Sequence, residues 1–329
     1  MLLYIDINDA CGLKCPTCPK GVRAFPNTSK KMSLTMFSNI VQKGRYDGAY
    51  QVGLFNWVEP FLITNLHEYT NIVKMYGLRC EVASTLAVPK IPNLIACLAS
   101  VDMLWHTVSG HSQSIYDVNH VGGKVSDVFR HMDTIAEAKR EGRIQTDVLV
   151  RYLKYDYNEH EIGAFKDEAT SRGFRFEVLI GTGHPVRMKC DADQETKIAS
   201  ALAAFTSSPI YQRPGTVCPL IFEHVAVNAD GDVYTCSALG YHQALRIGSY
   251  LDLTREEILY RRYNHPYCNS CNWTRRLATD RENDLLAEAM AARTGRPVAQ
   301  RTARLSDPDT PSYKDEKGYY LPKDGHRAW

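Results

Sequence analysis

Cys11-Gly12-Leu13-Lys14-Cys15-Pro16-Thr17-Cys18 carries three thiols in the spacing C-x3-C-x2-C. The segment follows a short apolar run, residues 2–7, that the pattern predicts to be a buried strand. Three closely spaced cysteines on one loop can bind three irons of a [4Fe–4S] cube and leave the fourth iron without a protein ligand. The alternatives are a structural zinc loop or three unrelated core cysteines, but zinc needs a fourth ligand and no further His or Cys is nearby.

The composition is that of a soluble globular protein. The 329 residues carry a net charge of +2, so nothing indicates binding to nucleic acid or to a membrane surface. No apolar run approaches the ~18 residues of a membrane span, and no signal peptide begins the chain, so we expect a cytoplasmic location. Ten cysteines in such a protein favour metal ligation over disulfides. Seven fall in clustered or paired spacings, whereas Cys80, Cys97 and Cys190 stand alone.

Strands and helices alternate along the first half of the chain. The patterns predict strands at 2–7, 50–55, 79–85, 101–107, 145–153 and 174–180. They predict helices from Ser33 or Thr35 to 43, at 66–76 and 92–99, at 127–140 with Ser126 as its cap, and at 159–172. Six such units predict an α/β fold, a partial, open (β/α)6 barrel over 1–185. Ligands of such sheets bind at the carboxyl ends of the strands, where the cysteine loop would lie.

The cysteine spacing and this alternation resemble the radical S-adenosylmethionine (SAM) superfamily. In that superfamily a partial barrel holds the cluster, and the open iron binds the amino and carboxylate groups of SAM. The resemblance implies Cys11, Cys15 and Cys18 as ligands of a SAM-binding [4Fe–4S] cluster. In many relatives an aromatic residue before the third cysteine packs on the adenine ring, but Thr17 stands there, and the adenine contacts stay unassigned.

A second motif, Asn56-Trp57-Val58-Glu59-Pro60, directly follows the second predicted strand. It resembles the "GEP" motif of radical SAM proteins, with Val58 in place of the usual Gly. The resemblance implies that the backbone here and the Glu59 side chain receive the SAM amino group, with Asn56 and Trp57 as part of the site. A surface turn closed by Pro60 is the alternative.

Further polar residues at strand ends are candidates for SAM contacts. Residues 109–116 with Gly122-Gly123 resemble a run of radical SAM proteins that carry a C-terminal cluster domain, and Ser109 is then a candidate for the SAM carboxylate or ribose. Ser84 and Thr85, which end the third strand, could reach SAM hydroxyls, although all three could equally be turn or cap residues. Arg151 lies in an apolar strand and needs a partner, either a SAM carboxylate or a neighbouring acid.

A second set of cysteines comprises Cys218, Cys236, Cys268 and Cys271. Asp230-Gly231 between alternating apolar residues predicts a hairpin that would bring the first two together. Four cysteines suit a zinc ribbon or a fully ligated [4Fe–4S] cluster. Their pattern resembles the twitch domain, a shortened SPASM domain, and so implies one auxiliary cluster. We expect a barrel at 1–185, a linker with a helix at 186–215, a twitch domain at 216–272, and a helix and tail at 273–329.

The resemblance implies an enzyme with SAM and two [4Fe–4S] clusters, one of them auxiliary, and an external reductant such as flavodoxin or ferredoxin. The sequence is similar to the group that includes the twitch-bearing dehydrogenase of aminocyclitol antibiotic biosynthesis. We expect a small polar substrate (a sugar, a cyclitol or a nucleoside-like metabolite) and oxidation, epimerisation or decarboxylation.

Candidate substrate residues follow from their position in loops. Cys190 is a candidate hydrogen-atom donor, as required for epimerisation, with His184 on the same loop. Tyr155 follows the fifth strand, and Glu223 with His224 lies between two auxiliary cysteines. Each has a solvent-exposed or core alternative.

Two other classes stay open. A radical SAM peptide-modifying enzyme is one, although a first strand at Leu2 leaves no room for an N-terminal leader-recognition domain. A non-catalytic zinc or iron–sulfur protein is the other.

Overall fold

The structure, a computed structural model, describes residues 1–18, 20–21, 27–155, 157–181, 220, 223–238, 241, 243–263 and 265, and the backbone of 312–314 and 320–322. Several predictions lie outside these residues: the linker helix within 186–215, the auxiliary ligands Cys218, Cys268 and Cys271, and the candidates His184 and Cys190. No helix among the described residues is long and apolar enough to cross a membrane.

Nine strands of the described residues form one sheet, in the order β6-β5-β4-β3-β2-β1-β7-β8-β9. The pairs from β1 to β6 are all parallel, and so is the pair of β1 with β7. The strands are β1 Leu2–Ile5, β2 Gln51–Gly53, β3 Arg79–Ser84, β4 Met103–Val108, β5 Asp147–Lys154, β6 Arg175–Ile180, β7 His224–Val227, β8 Asp232–Tyr234 and β9 Arg246–Ser249. An antiparallel ribbon of β10 Ser312–Lys314 and β11 Tyr320–Pro322 forms a separate sheet.

A helix follows each of the first five strands, which confirms the predicted α/β fold with a mainly parallel sheet. The helices are α1 Leu34–Tyr46, α2 Leu66–Met75, α3 Leu94–Leu98, α4 Gln113–Asn119, α5 Val125–Arg140, α6 Ile162–Ser171 and α7 Arg255–Tyr263. Short 3-10 helices span Pro60–Leu62, Glu159–Glu161 and Gln243–Leu245. Ser33 caps α1 as predicted, since its hydroxyl accepts from the Met36 N–H.

The core lies between one face of the sheet and the helices. Because the strands β1 to β6 follow each other in sequence order, right-handed crossovers put their helices on the same face. Leu3, Val82 and Leu104 point into this core and are fully buried. Successive side chains alternate between faces, so Tyr4, Trp105 and their neighbours two residues apart face the other way. We call that second side the inner face.

The predicted hairpin is present, and it belongs to the main sheet. β7 and β8 are antiparallel, and Gly231 in their turn has a φ of +84°, which suits glycine. β7 also lies beside β1, so the hairpin extends the same sheet.

Two local predictions need correction. The longest helix begins at Val125 and its cap position is Lys124, so Ser126 lies inside the first turn. The reason is a contact from outside the helix: the side-chain oxygen of Gln113 accepts from the Val125 N–H at 2.9 Å. Residues 113–119, which we interpreted only as a motif, form α4 with Ser112 at its N-cap.

Candidate active site

The cysteine loop directly follows β1 at the carboxyl ends of the parallel strands. The N–H of Cys18 donates to the Cys15 carbonyl at 3.2 Å, and Asn27 exchanges two hydrogen bonds with the Cys11 backbone at 3.1 Å each. The Lys14 N–H donates to the Val121 carbonyl at 2.9 Å, which ties the loop to the segment after α4. The three thiols are free and partly exposed.

Burial dominates the environment of the three thiols. It raises the pKa of the Cys11 thiol to about 12, with smaller contributions from Glu59 and Cys18. Burial also raises the pKa of Cys15, and the Cys18 and Cys11 thiols add to that rise. Backbone N–H groups of Lys20 and Gly21 bond the Cys18 sulfur and favour its thiolate.

Within the described residues no three His, Cys, Asp or Glu side chains surround a single metal position. A cube differs from a single ion because each cysteine binds a different iron, so the sulfurs need not converge on one point. Free, adjacent thiols with backbone donors therefore fit three corners of a [4Fe–4S] cluster.

The turn after β2 is bonded to this loop. The Glu59 N–H donates to the Ala10 carbonyl at 2.9 Å, and the Asn8 side chain donates to the Glu59 carbonyl at 3.1 Å. The same Asn8 side chain accepts from the Ala10 N–H at 2.7 Å. The predicted SAM motif therefore lies directly beside Cys11.

The Glu59 side chain brings several predicted residues together. Its carboxylate accepts from the Ser84 hydroxyl at 2.8 Å and from the Phe61 N–H at 3.2 Å. The Thr85 N–H and hydroxyl donate to the other oxygen at 3.2 and 3.3 Å. Burial raises the pKa of Glu59, and these donors lower it. A buried carboxylate next to Cys11 is suited to an ammonium group held at a cluster iron.

Asp6 is a site residue that the sequence interpretation missed. It is fully buried after β1, and its Oδ2 accepts from the Trp57 N–H at 3.0 Å and from the Tyr241 phenol at 2.7 Å. Asn56 also donates to the Tyr241 phenol, at 3.4 Å. Oδ1 has no hydrogen-bond partner among the described residues, and burial raises the pKa of Asp6 to about 7. The sequence signal that could have identified Asp6 is its position as a charged residue within the apolar run at 2–7.

Tyr155 reaches the cysteine loop. Its phenol lies beside the Thr17 hydroxyl, which donates to the Asn119 side chain at 2.7 Å. Its ring stacks on Tyr157 with the centroids 5.4 Å apart. Burial raises the pKa of Tyr155 to about 12, so the phenol keeps its proton at neutral pH.

Ser109 is fully buried at the end of β4. Its hydroxyl pairs with His120 Nδ1 at 2.7 Å, and its carbonyl accepts from the Asn158 side chain at 2.8 Å. It lies at the predicted edge of the sheet, in a network that joins β4 to the loops after α4 and β5.

Arg151 has the neighbouring acid that we considered as one of its two possible partners. Its Nε donates to Glu177 of β6 at 2.7 Å, and its guanidinium lies over the Trp105 ring, 3.5 Å from the centroid. It is held on the inner face.

Glu223 and His224 are not brought to the cysteine loop. His224 pairs with Leu2, so both residues lie at the amino ends of the strands, the opposite edge of the sheet. The charge of Glu223 acts on the Met1 amino group there. The Cys236 sulfur accepts from the Ala238 N–H at 3.4 Å, and Cys80 and Cys97 are buried in the core as expected.

No protein-family model matches the sequence, and no curated protein matches it. Solved structures do. SuiB of Streptococcus suis bound to S-adenosylmethionine matches with a TM-score of 0.54 and 12% identity over 76% of this chain. That match spans 64% of SuiB, less than two thirds of its length. Native anSMEcpe with bound AdoMet matches with a TM-score of 0.55 and 13% identity over 84% of this chain and 87% of its own.

A third structure, BtrN in complex with AdoMet and 2-DOIA, covers 97% of this chain and 98% of its own at 13% identity, but its TM-score of 0.48 is too low to establish a shared fold. At such identities a structural match speaks for the fold alone. The chain therefore has the fold of SuiB and anSMEcpe, two proteins whose structures were solved with S-adenosylmethionine bound.

Proposed function

We propose that the chain is a radical SAM enzyme that abstracts a hydrogen atom from a small polar metabolite. The observation that carries the proposal is the pair formed by three free thiols after β1 and the buried carboxylate of Glu59, whose backbone N–H is hydrogen-bonded to the Ala10 carbonyl next to Cys11. The shared fold with two proteins solved with SAM supports it. The substrate is a sugar, cyclitol or nucleoside-like compound, and the reaction is an oxidation, an epimerisation or a decarboxylation.

With SAM bound, a reduced [4Fe–4S] cluster held by these cysteines would supply one-electron reductive cleavage of a carbon–sulfur bond of SAM, which gives methionine and a carbon radical able to take a hydrogen atom from the substrate. The protein binds and orients the partners and excludes water. Cys11, Cys15 and Cys18 hold three irons. Glu59 receives the amino group of SAM, with Ser84 keeping its carboxylate in place.

Asn56 and Trp57 complete the cofactor side through their bonds to Asp6 and Tyr241. Ser109 orders the same edge through His120. Tyr155 faces the substrate side of the cysteine loop, and Cys190 and His184, which follow β6 in the sequence, are further substrate residues in this proposal. Cys218, Cys236, Cys268 and Cys271 hold an auxiliary [4Fe–4S] cluster that exchanges an electron with the substrate, and flavodoxin or ferredoxin is the external reductant.

The test is the release of 5′-deoxyadenosine from SAM by anaerobically reconstituted protein with a strong reductant. We expect release by the wild type and its loss in Cys15→Ala, together with loss of about four irons per chain. Lys14→Ala is the matched control, since its exposed side chain lies on the same loop beside Cys15 and carries no thiol.

Release that persists in Cys15→Ala would exclude this loop as the cluster site. Full iron loading with no release, alone and with sugars and cyclitols, would favour the non-catalytic binding protein. Release stimulated by a peptide and not by small metabolites would favour the peptide-modifying class.

A further inference from the structure

A chain of polar contacts crosses four strands on the inner face. Glu81 of β3 accepts from the Trp105 indole N–H of β4 at 2.9 Å, and the guanidinium of Arg151 on β5 lies over that ring. Glu177 of β6 accepts from Arg151 Nε at 2.7 Å. Indole and carboxylate together fix the plane of the guanidinium.

The guanidinium keeps unused donors. It has five N–H groups, and one carboxylate accepts at most two of them in a fork. Glu177 is its hydrogen-bond partner among the described residues, and both oxygens of Glu81 are already occupied, by Arg79 and Trp105. The Arg151 side chain is 31% exposed, so these donors are accessible.

The position of Arg151 separates it from the proposed SAM residues. Arg151 on β5 pairs with Thr107 of β4, whereas Ser84 on β3, which bonds Glu59, pairs with His106 from the other side of β4. Two strand spacings, about 10 Å, therefore separate the backbones of Arg151 and Ser84, and their side chains start from opposite faces of the sheet. Burial raises the pKa of Tyr4 and Arg151 opposes that rise, and the Tyr4 ring packs with Phe55, 5.2 Å between centroids, on the inner face. Arg151 therefore faces the inner side of the sheet, apart from the contact of Glu59 with Ser84.

We propose that Arg151 binds an anionic group, a carboxylate or a phosphate, of the substrate on the inner face. The proposal rests on the proposed function, because it takes the bound anion to be part of that enzyme's substrate. The substrate anion then replaces the SAM carboxylate as the ligand of Arg151. Trp105 acts as a positioning residue that presents the free edge of the guanidinium. The bound metabolite is thus an acid or a phosphate ester, and Tyr4 and Phe55 flank its uncharged part.

The experiment uses the reconstituted full chain with radiolabelled inorganic phosphate and malonate as probes in equilibrium dialysis, at constant ionic strength. We expect one saturable site for at least one probe and a loss of affinity of about tenfold or more in Arg151→Met. Arg151→Lys keeps the charge without the fork and should lose part of the affinity. Arg143→Met, which removes a surface cation paired with Glu141, is the matched control and should bind as the wild type does.

SAM affinity and 5′-deoxyadenosine release are measured on the same variants. SAM affinity should stay within about twofold of the wild type in Arg151→Met, because Arg151 does not hold SAM. A loss of SAM affinity with unchanged probe binding would return Arg151 to the SAM carboxylate and overturn the proposal. Equal probe binding in Arg151→Met, or no binding of either probe to the wild type, would overturn it as well.

Failure of the proposed function has a different signature. If the wild type binds no SAM and Arg151→Met still loses probe binding, the anion site is supported and the proposed radical SAM function is contradicted. Unchanged far-UV circular dichroism of the variants shows that the loss of binding does not come from unfolding.

Discussion

Glu59 has four hydrogen-bond donors around a buried carboxylate. In Glu59→Gln one oxygen becomes an NH2 group that faces donors, so we expect a loss of about 1–3 kcal/mol in the free energy of unfolding. We also expect SAM affinity to fall by about tenfold, because an ammonium loses its charged acceptor. Urea unfolding and SAM binding check the two effects.

Glu68→Gln is the control for Glu59, since Glu68 is a partly exposed acid of α2 that bonds Asn65. A Glu59→Gln variant as stable as Glu68→Gln would contradict the structure of this turn. An unchanged SAM affinity would contradict the role we propose for Glu59.

Asp6 makes the stability of the fold depend on pH. Its pKa is raised to about 7 in the folded state by burial, above the value of about 4 in an unfolded chain. Between about pH 4 and pH 7 the folded state therefore holds a proton that the unfolded state releases. The contribution of Asp6 to the free energy of unfolding is fully present below about pH 4 and is lost as the pH rises through 7.

In Asp6→Asn this titration is absent. Between about pH 5 and pH 7 we expect the wild type to lose more unfolding free energy than the variant, by up to about 1.4 kcal/mol per pH unit. Urea unfolding at several pH values measures the difference. Tyr241→Phe removes a hydrogen-bond donor to Asp6, so the loss of unfolding free energy in this variant should extend to higher pH. Parallel plots of unfolding free energy against pH for all three proteins would contradict the raised pKa of Asp6.

Helix α1 begins with a local cap that the sequence alone reveals. Ser33→Ala removes the hydroxyl that accepts from the Met36 N–H at 3.1 Å, and we expect a cost of about 1 kcal/mol. Thr35→Ala is the control, since Thr35 is exposed within the helix, and should change stability by less than about 0.5 kcal/mol. Thermal unfolding compares them, and a larger effect at Thr35 would move the cap.

Helix α7 is joined to the hairpin by Arg262, which is fully buried. It donates to the carbonyls of Thr235, at 2.9 Å, and of His224 and Leu220. Arg262→Met leaves these carbonyls without that donor, so we expect a loss of about 2–4 kcal/mol and faster amide exchange in β7. Arg261, which is partly exposed and bonds the Ile247 carbonyl, is the control, and equal effects at both positions would contradict the arrangement.

The elements that sequence interpretation found are those with local signals. Ser33 and the glycines after α2 and α5 mark helix ends within a few residues, so the pattern suffices there. The start of α5 depends on Gln113, which is distant from it in sequence, and no local pattern contains that contact. The same holds for α7 and β9, whose apolar faces become apparent only against the hairpin.

At the scale of the whole molecule, the sequence predicted six alternating units and put Cys11, Glu59 and Ser84 at one edge, because parallel strands share their carboxyl ends. It did not predict the partner of the hairpin. Two apolar strands joined by a turn are predicted to pair with each other. The sheet edge that the hairpin joins depends on how its surface packs against that edge, which no local pattern contains. Glu223 was therefore expected beside the pocket, whereas the pairing of β7 with β1 puts it at the opposite edge.

That pairing also sets an order of events during synthesis. β1 leaves the ribosome well before one of its two neighbours, β7, which follows roughly 220 residues later. Until then β1 is an open strand edge, the kind of surface that recruits other chains. The cysteine loop is attached to this strand, so the strand beneath it has both neighbours only when the hairpin docks. A nascent chain that stops before β7 therefore carries all three thiols of the first loop on a strand with one neighbour missing.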